Sequence, residues 1–140
     1  MRLTPALFNH AEALLAELFA TTFPADSVVS RYFRQQPKLG HAERGFIAEA
    51  VYAVLRRKRS LAARCGERVS SRRLLLAWLA CGQGMNRREL DGLLSESEAK
   101  WLAQAKAIRL DEMPPAVRLD LPDWLYEILA GRFAAAELDA

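Results

Sequence analysis

The chain has 140 residues, 51% hydrophobic and 26% charged, which is the balance of one soluble globular domain and excludes a disordered or fibrous chain. Its net charge of +3 conceals an asymmetry: residues 1–55 carry five Lys/Arg and five Asp/Glu, residues 56–88 ten and one, and residues 89–140 five and eleven. The middle stretch, at net +9, makes a field that attracts polyanions, and nucleic acid is the commonest of these. The longest apolar run, Leu74 to Cys81, is too short to cross a bilayer, and the opening residues lead into no signal-peptide apolar region. A cytoplasmic location without membrane contact is therefore expected.

Helical periodicity dominates the chain from its start. Thr4 and Pro5 read as N-cap and first helical position, and Leu7, Phe8, Ala11, Leu14, Leu15, Leu18 and Phe19 form one apolar stripe ending near Ala20. Pro24 opens a second helix with Val28, Val29, Tyr32 and Phe33 inward, stopped by the turn Pro37 to Gly40. A third helix starts near His41 and is expected to be the centre of the core, because Phe46, Ile47, Ala50, Val51, Val54 and Leu55 cover about half of its circumference. On the same wheel Arg57 and Lys58 fall on the apolar stripe, so the buried stretch must end, bend or emerge near Leu55.

Ser60 to Arg64 read as a short helix closed by Gly66, and Ser70/Ser71 caps a fourth helix with Leu74, Leu75, Trp78 and Leu79 inward, ended by Gly82 to Gly84. Asn86 with Glu89 and Ser95 with Glu98 are capping-box pairs, which predict helices over Arg87 to Leu94 and Glu96 to about Ile108. Met113 to Asp120 is expected to be extended, since each proline restricts the residue before it. A last helix begins at Pro122 with Trp124, Leu125, Ile128 and Leu129, and residues 132–140 read as the opening of another. The expectation is an all-α bundle of six to eight helices, with Leu14, Leu18, Phe33, Phe46, Val51, Val54, Leu55, Leu75 and Trp78 in a shared core.

The candidate binding residues are Arg56, Arg57, Lys58, Arg59, Arg64, Arg68, Arg72 and Arg73, with Arg87 and Arg88 nearby in sequence. Seven of these first eight cations are arginine, whose planar fork donates paired hydrogen bonds to phosphate. The competing reading is a solvated helix end, where cations satisfy the last carbonyls and the macrodipole, but +9 over 33 residues exceeds what that requires. Arg44 sits beside Val51 and Leu55 on the wheel, which predicts a half-buried guanidinium paired with a carboxylate or with backbone carbonyls. Trp78, Trp101 and Trp124 read as core residues rather than base-stacking platforms. Cys65 and Cys81 form no C-x-x-C motif and read as reduced thiols in or near the core. His10 and His41 each stand near a helix start and neither is close in sequence to a cysteine or an acid pair, no glycine-rich phosphate loop follows a strand, and no nucleophile with a matched base can be assembled. Catalysis and metal binding are not expected of this chain taken alone.

The segment Leu39 to Leu61, LGHAERGFIAEAVYAVLRRKRSL, resembles the N-terminal region of the bacterial Sun/Nop-type ribosomal RNA methyltransferases, which make 5-methylcytosine in small-subunit rRNA. The opening MRLTPALF and the segments Leu93 to Leu102 (LLSESEAKWL) and Leu121 to Leu125 (LPDWL) are similar to other parts of the same region, so the likeness spans essentially the whole chain. The resemblance implies a NusB-like helical domain over residues 1–140 that precedes a Rossmann-type catalytic domain using S-adenosylmethionine. The family's catalytic cysteines lie in Pro-Cys motifs of that second domain. Cys65 follows Arg64 and Cys81 follows Ala80, so no catalytic residue carries over. The implied role is that of an accessory domain whose partners are ribosomal RNA and the catalytic methyltransferase domain of the same protein, the latter, with its cofactor, absent from this chain. The alternative is a NusB-like protein-interaction module without direct RNA contact, because such folds also bind proteins and the acidic C-terminal segment could dock on a basic surface.

Overall fold

A computed structural model describes residues 2–132. Among the described residues it holds eight α-helices and no β-strand: α1 (Pro5–Ala20), α2 (Ala25–Gln35), α3 (His41–Arg56), α4 (Lys58–Cys65), α5 (Ser71–Ala77), α6 (Glu96–Ala107), α7 (Pro115–Arg118) and α8 (Asp123–Ala130). The expected tail helix over residues 132–140 lies almost wholly outside the described residues.

Local signals set most helix starts. Thr4 Oγ1 accepts from the Leu7 amide, Ser70 Oγ from Arg73, and Ser95 and Glu98 close a reciprocal capping box on α6. The arrangement then follows from which faces must leave water. α1 packs against α3, α5 and α2, and its Leu7, Phe8, Ala11, Leu14, Leu15 and Leu18 are all buried. Tyr32 of α2 is fixed to α1 by a 2.7 Å hydrogen bond between its hydroxyl and His10 Nδ1. α3 contributes Ile47, Ala50, Val51, Ala53 and Val54, whereas Phe33, Phe46 and Leu55 pack on the rim of the core half-buried.

The centre of the core is α5, not α3. Every residue from Leu74 to Ala80 is buried, because α5 lies between α1, α3, α4 and α6 and has no face left for solvent. This helix ends in a π turn over Trp78–Gly82, in which the Gln83 amide reaches back to the Trp78 carbonyl. Glycine is required at position 82, since a Cβ there would stand 2.9 Å from Cδ1 of Trp78.

Three segments depart from the sequence expectation. The Asn86–Glu89 capping hydrogen bonds form, yet residues 87–93 make only turns, because Gly92 in the left-handed region (φ 91°) stops the chain before a helical turn can propagate. Residues 113–120 are not extended throughout: Pro114 is, but Pro115 takes the first position of α7, where its fixed φ starts a helix and its missing N–H costs nothing. Trp124 is no core residue, being 64% exposed, and α8 buries no residue at all. Trp78 is buried as expected, and Trp101 is half-buried.

Candidate nucleic-acid interface

The basic zone begins where α3 breaks. Arg57 ends α3 and precedes α4, with φ −116° and ψ 22°, and its amide closes on the Ala53 and Val54 carbonyls. This break resolves the conflict on the helical wheel: the apolar stripe stops at Leu55, and the cations that would have pointed into the core turn outward. Arg56, Arg57 and Lys58 are exposed at this corner, and Arg68 is exposed in the loop beyond the far end of α4. The side chains of Arg56, Arg57 and Arg68 make no hydrogen bond or ion pair with a described residue. Lys58 extends its ammonium over the Phe19 ring, 4.6 Å from the centroid, and stays open to solvent on the other side.

The other four cations of the zone are turned to structural use. Arg59 donates to the Leu121 carbonyl and to Asp123 Oδ1 at 2.8 Å, fastening the start of α8 to α4. Arg64 donates to the carbonyls of Ala105 and Ile108 at 2.9 and 2.6 Å and so caps the C-terminus of α6. Arg72 forms a two-pronged pair with Glu98 at 2.6 and 3.1 Å, donates to the Leu93 carbonyl, and lies 5.1 Å from the centroid of Phe8. The hydrogen bond from Arg72 is the main cause that holds the Glu98 carboxyl below its ordinary range, and the same bond raises the Arg72 guanidinium. Arg73 stacks over Trp101 at 4.6 Å, and the Trp101 indole donates to the Arg64 carbonyl. Arg44 behaves as its wheel position predicts, donating from Nε to the Leu39 carbonyl at 3.0 Å, with Phe33 and Gln36 carbonyls at 3.5 Å.

Two concavities flank the α3–α4 corner. One, of about 520 Å³, lies on the α8 side between Leu55, Arg56, Lys58, Arg59 and the segment Asp120 to Asp123. The other, of about 320 Å³, lies between α4, the π turn and the 110–120 segment, and is lined by Arg57, Ser60, Arg64, Cys81, Arg118 and Asp120, among others. Asp120 takes a left-handed backbone (φ 57°) that aims its carboxylate at α4, where it accepts from the Ser60 amide at 2.7 Å and the Ser60 hydroxyl at 2.9 Å. Sequence reasoning missed Arg118 and Asp120. Their one local cue is the Pro-Pro start of α7, and what brings them to α4 is a contact across about 60 residues.

Cys65 is buried and Cys81 half-buried, both with free thiols; burial pushes the Cys65 thiol up to about 11 and raises Cys81 in the same direction. Among the described residues no group of His, Cys, Asp and Glu could hold a metal ion, and no helix is long and apolar enough to cross a membrane. A seat for S-adenosylmethionine of the Rossmann kind needs a strand and a glycine-rich turn into a helix; the described helices do not supply that framework. No protein-family profile, no curated protein and no solved structure matches the chain.

Proposed function

We propose that this chain is a NusB-like accessory domain that binds ribosomal RNA and holds it for the catalytic domain of an S-adenosylmethionine-dependent cytosine-C5 methyltransferase. The observation that carries the reading is the corner at Arg56, Arg57 and Lys58, where a helix break presents three cations outward beside concave surface, with Arg68 at the other end of α4. α4 is eight residues, about 12 Å, long, so cations at its two ends can meet different phosphates of one strand. The resemblance of Leu39 to Leu61 supplies the identity of the RNA and of the missing chemistry. The test is fluorescence anisotropy with a structured small-subunit rRNA fragment over a salt series. Neutralising about four phosphates gives a slope of log affinity on log salt of roughly −3 to −4, with dissociation constants of about 1 to 100 μM. Binding independent of salt sinks the reading.

A specific feature favours a second reading, that of a protein-interaction module: Trp124 and Ile128, one helical turn apart on α8, are 64% and 50% exposed. Salt separates the two readings, because an apolar interface keeps its affinity where phosphate binding loses it.

A further inference from the structure

The smaller cleft beside the α3–α4 corner has features that the exposed cations alone do not. We infer that the cleft between α4, the π turn and the 110–120 segment is a built site for one phosphate group, held by Arg57 and Arg64 with Arg118 at its wall. Among the described residues, Arg57, Arg64 and Arg118 line a cleft of about 320 Å³ together with the one carboxylate of Asp120. The Asp120 carboxylate is directed at α4, where one oxygen accepts from the Ser60 amide and the other from the Ser60 hydroxyl. Arg64 is fixed before any ligand arrives: its Nη1 is committed to the Ala105 and Ile108 carbonyls, and the rest of its fork remains for an anion. Arg57 is the opposite, an exposed side chain at the mouth that is free to close over a bound group.

The backbone around the cleft fits the same purpose. Its floor includes Cys81 and Gly82 of the π turn, a rare departure from α geometry that often marks functional sites. Its wall is positioned by Asp120 in a left-handed conformation uncommon outside glycine. The π turn and the Arg64 guanidinium line this cleft and not the concavity at Arg56.

The phosphate group could belong to the RNA backbone or to a small phosphorylated ligand. We assign it to RNA, and that assignment rests on the function proposed above; the site itself does not. Cys81 provides a reporter, since it lines the cleft with a free thiol and can be distinguished from Cys65 by peptide mapping. The experiment follows alkylation of Cys81 in the intact chain, at constant ionic strength, with added inorganic phosphate or with the rRNA fragment. Inorganic phosphate should slow the modification of Cys81 saturably, and Arg57→Gln should raise the concentration required by about tenfold. RNA should protect Cys81 as well, and Arg57→Gln should lower the RNA salt slope by about one. Protection by phosphate but not by RNA keeps the site and gives its phosphate to a small ligand. Protection by neither phosphate nor RNA overturns the site, and it leaves the RNA reading standing if salt-dependent binding persists. If RNA does not bind at all, the RNA reading falls and the phosphate arm still judges the cleft. The unsubstituted chain carries the protection assay, so a misfolded variant does not blunt the test.

Discussion

Arg72 and Arg57 belong to one basic stretch, yet Arg72 is gripped by Glu98, Glu12 and the Leu93 carbonyl above the ring of Phe8, whereas Arg57 reaches no carboxylate among the described residues. The same side chain is a structural bolt in one place and an open cation in the other. What separates them is the element that carries them. α5 is buried on all sides, so a cation on its first turn must find partners as it leaves the core, and the acidic first turn of α6 supplies one. Arg57 stands at a break between helices, where the backbone itself turns the side chain toward solvent. Net charge in a sequence therefore overstates the charge available for binding.

The largest expected effect comes from breaking the gripped end of this contrast. Arg72→Ala leaves a largely buried Glu98 without its main partner and the Leu93 carbonyl without a donor, and should destabilise the fold by about 2 to 4 kcal/mol in urea denaturation. RNA affinity of the folded protein should change by less than about twofold, as Arg72 has no free donor edge to lose. A stable variant with weakened binding would reverse the roles assigned to Arg72 and Arg57.

A smaller loss is expected where the C-terminal segment joins α4. Asp120→Ala removes both hydrogen bonds to Ser60 and places a residue with no side-chain acceptor in the left-handed region, and should cost about 1 to 2 kcal/mol in thermal or urea melts. Asp120→Asn, which tolerates that backbone and keeps one acceptor, should recover part of the loss. Equal melts for all three proteins would show that α7 and α8 are not held through this contact.

Acid sharpens the same comparison without a mutation. The Glu98 carboxyl is held below its ordinary 4.5 chiefly by the hydrogen bond from Arg72. A carboxyl whose folded value is depressed contributes stability that is fully present above the unfolded value and is lost as pH falls through the folded one. Stability should therefore begin to fall below about pH 4.5, and this part of the fall should be smaller in Arg72→Ala, where only the Ser95 hydrogen bonds still hold the carboxyl down. Urea melts at a series of pH values on the two proteins check it; parallel curves would remove Glu98 from the account.

How far these roles were legible in the sequence depended on the range of the interaction. Thr4 with Pro5, Ser70, and Ser95 with Glu98 act within one helical turn, and their helices start where they were read. Arg44 was legible because the wheel placed it at the edge of the stripe and its acceptors lie within 11 residues. The break at Leu55 to Arg57 followed from the contradiction between an apolar face and four cations. The division of those cations did not: the partners of Arg59, Arg64 and Arg72 lie 62, 41 and 26 residues away, and no local pattern announces them. α5 outranked α3 as the centre for a similar reason, since being covered on every side depends on α1, α4 and α6 arriving around it. Trp124 shows the opposite failure. Its spacing with Leu125, Ile128 and Leu129 is that of a buried stripe, but the described residues place no helix over Trp124 and Ile128, and the two stand in solvent.

The smallest expected effect on stability, and the most informative about function, lies at the open end of the contrast. Arg56→Gln and Arg68→Gln remove cations that make no hydrogen bond or ion pair with a described residue, so each should shift stability by no more than about 0.5 kcal/mol. If each meets one phosphate, each should lower the salt slope of RNA binding by about one, and the double variant by about two, since residues at opposite ends of α4 are far enough apart to act independently. Arg59→Gln is the internal control: it lies between them in sequence, but its guanidinium is spent on Leu121 and Asp123, so it should loosen α8 while leaving the slope nearly unchanged. Anisotropy titrations over the same salt series, paired with thermal melts, place each variant on both axes. A basic stretch that acted only through its summed field would give all three the same slope change, and the distinction between gripped and open arginines would then have no bearing on binding.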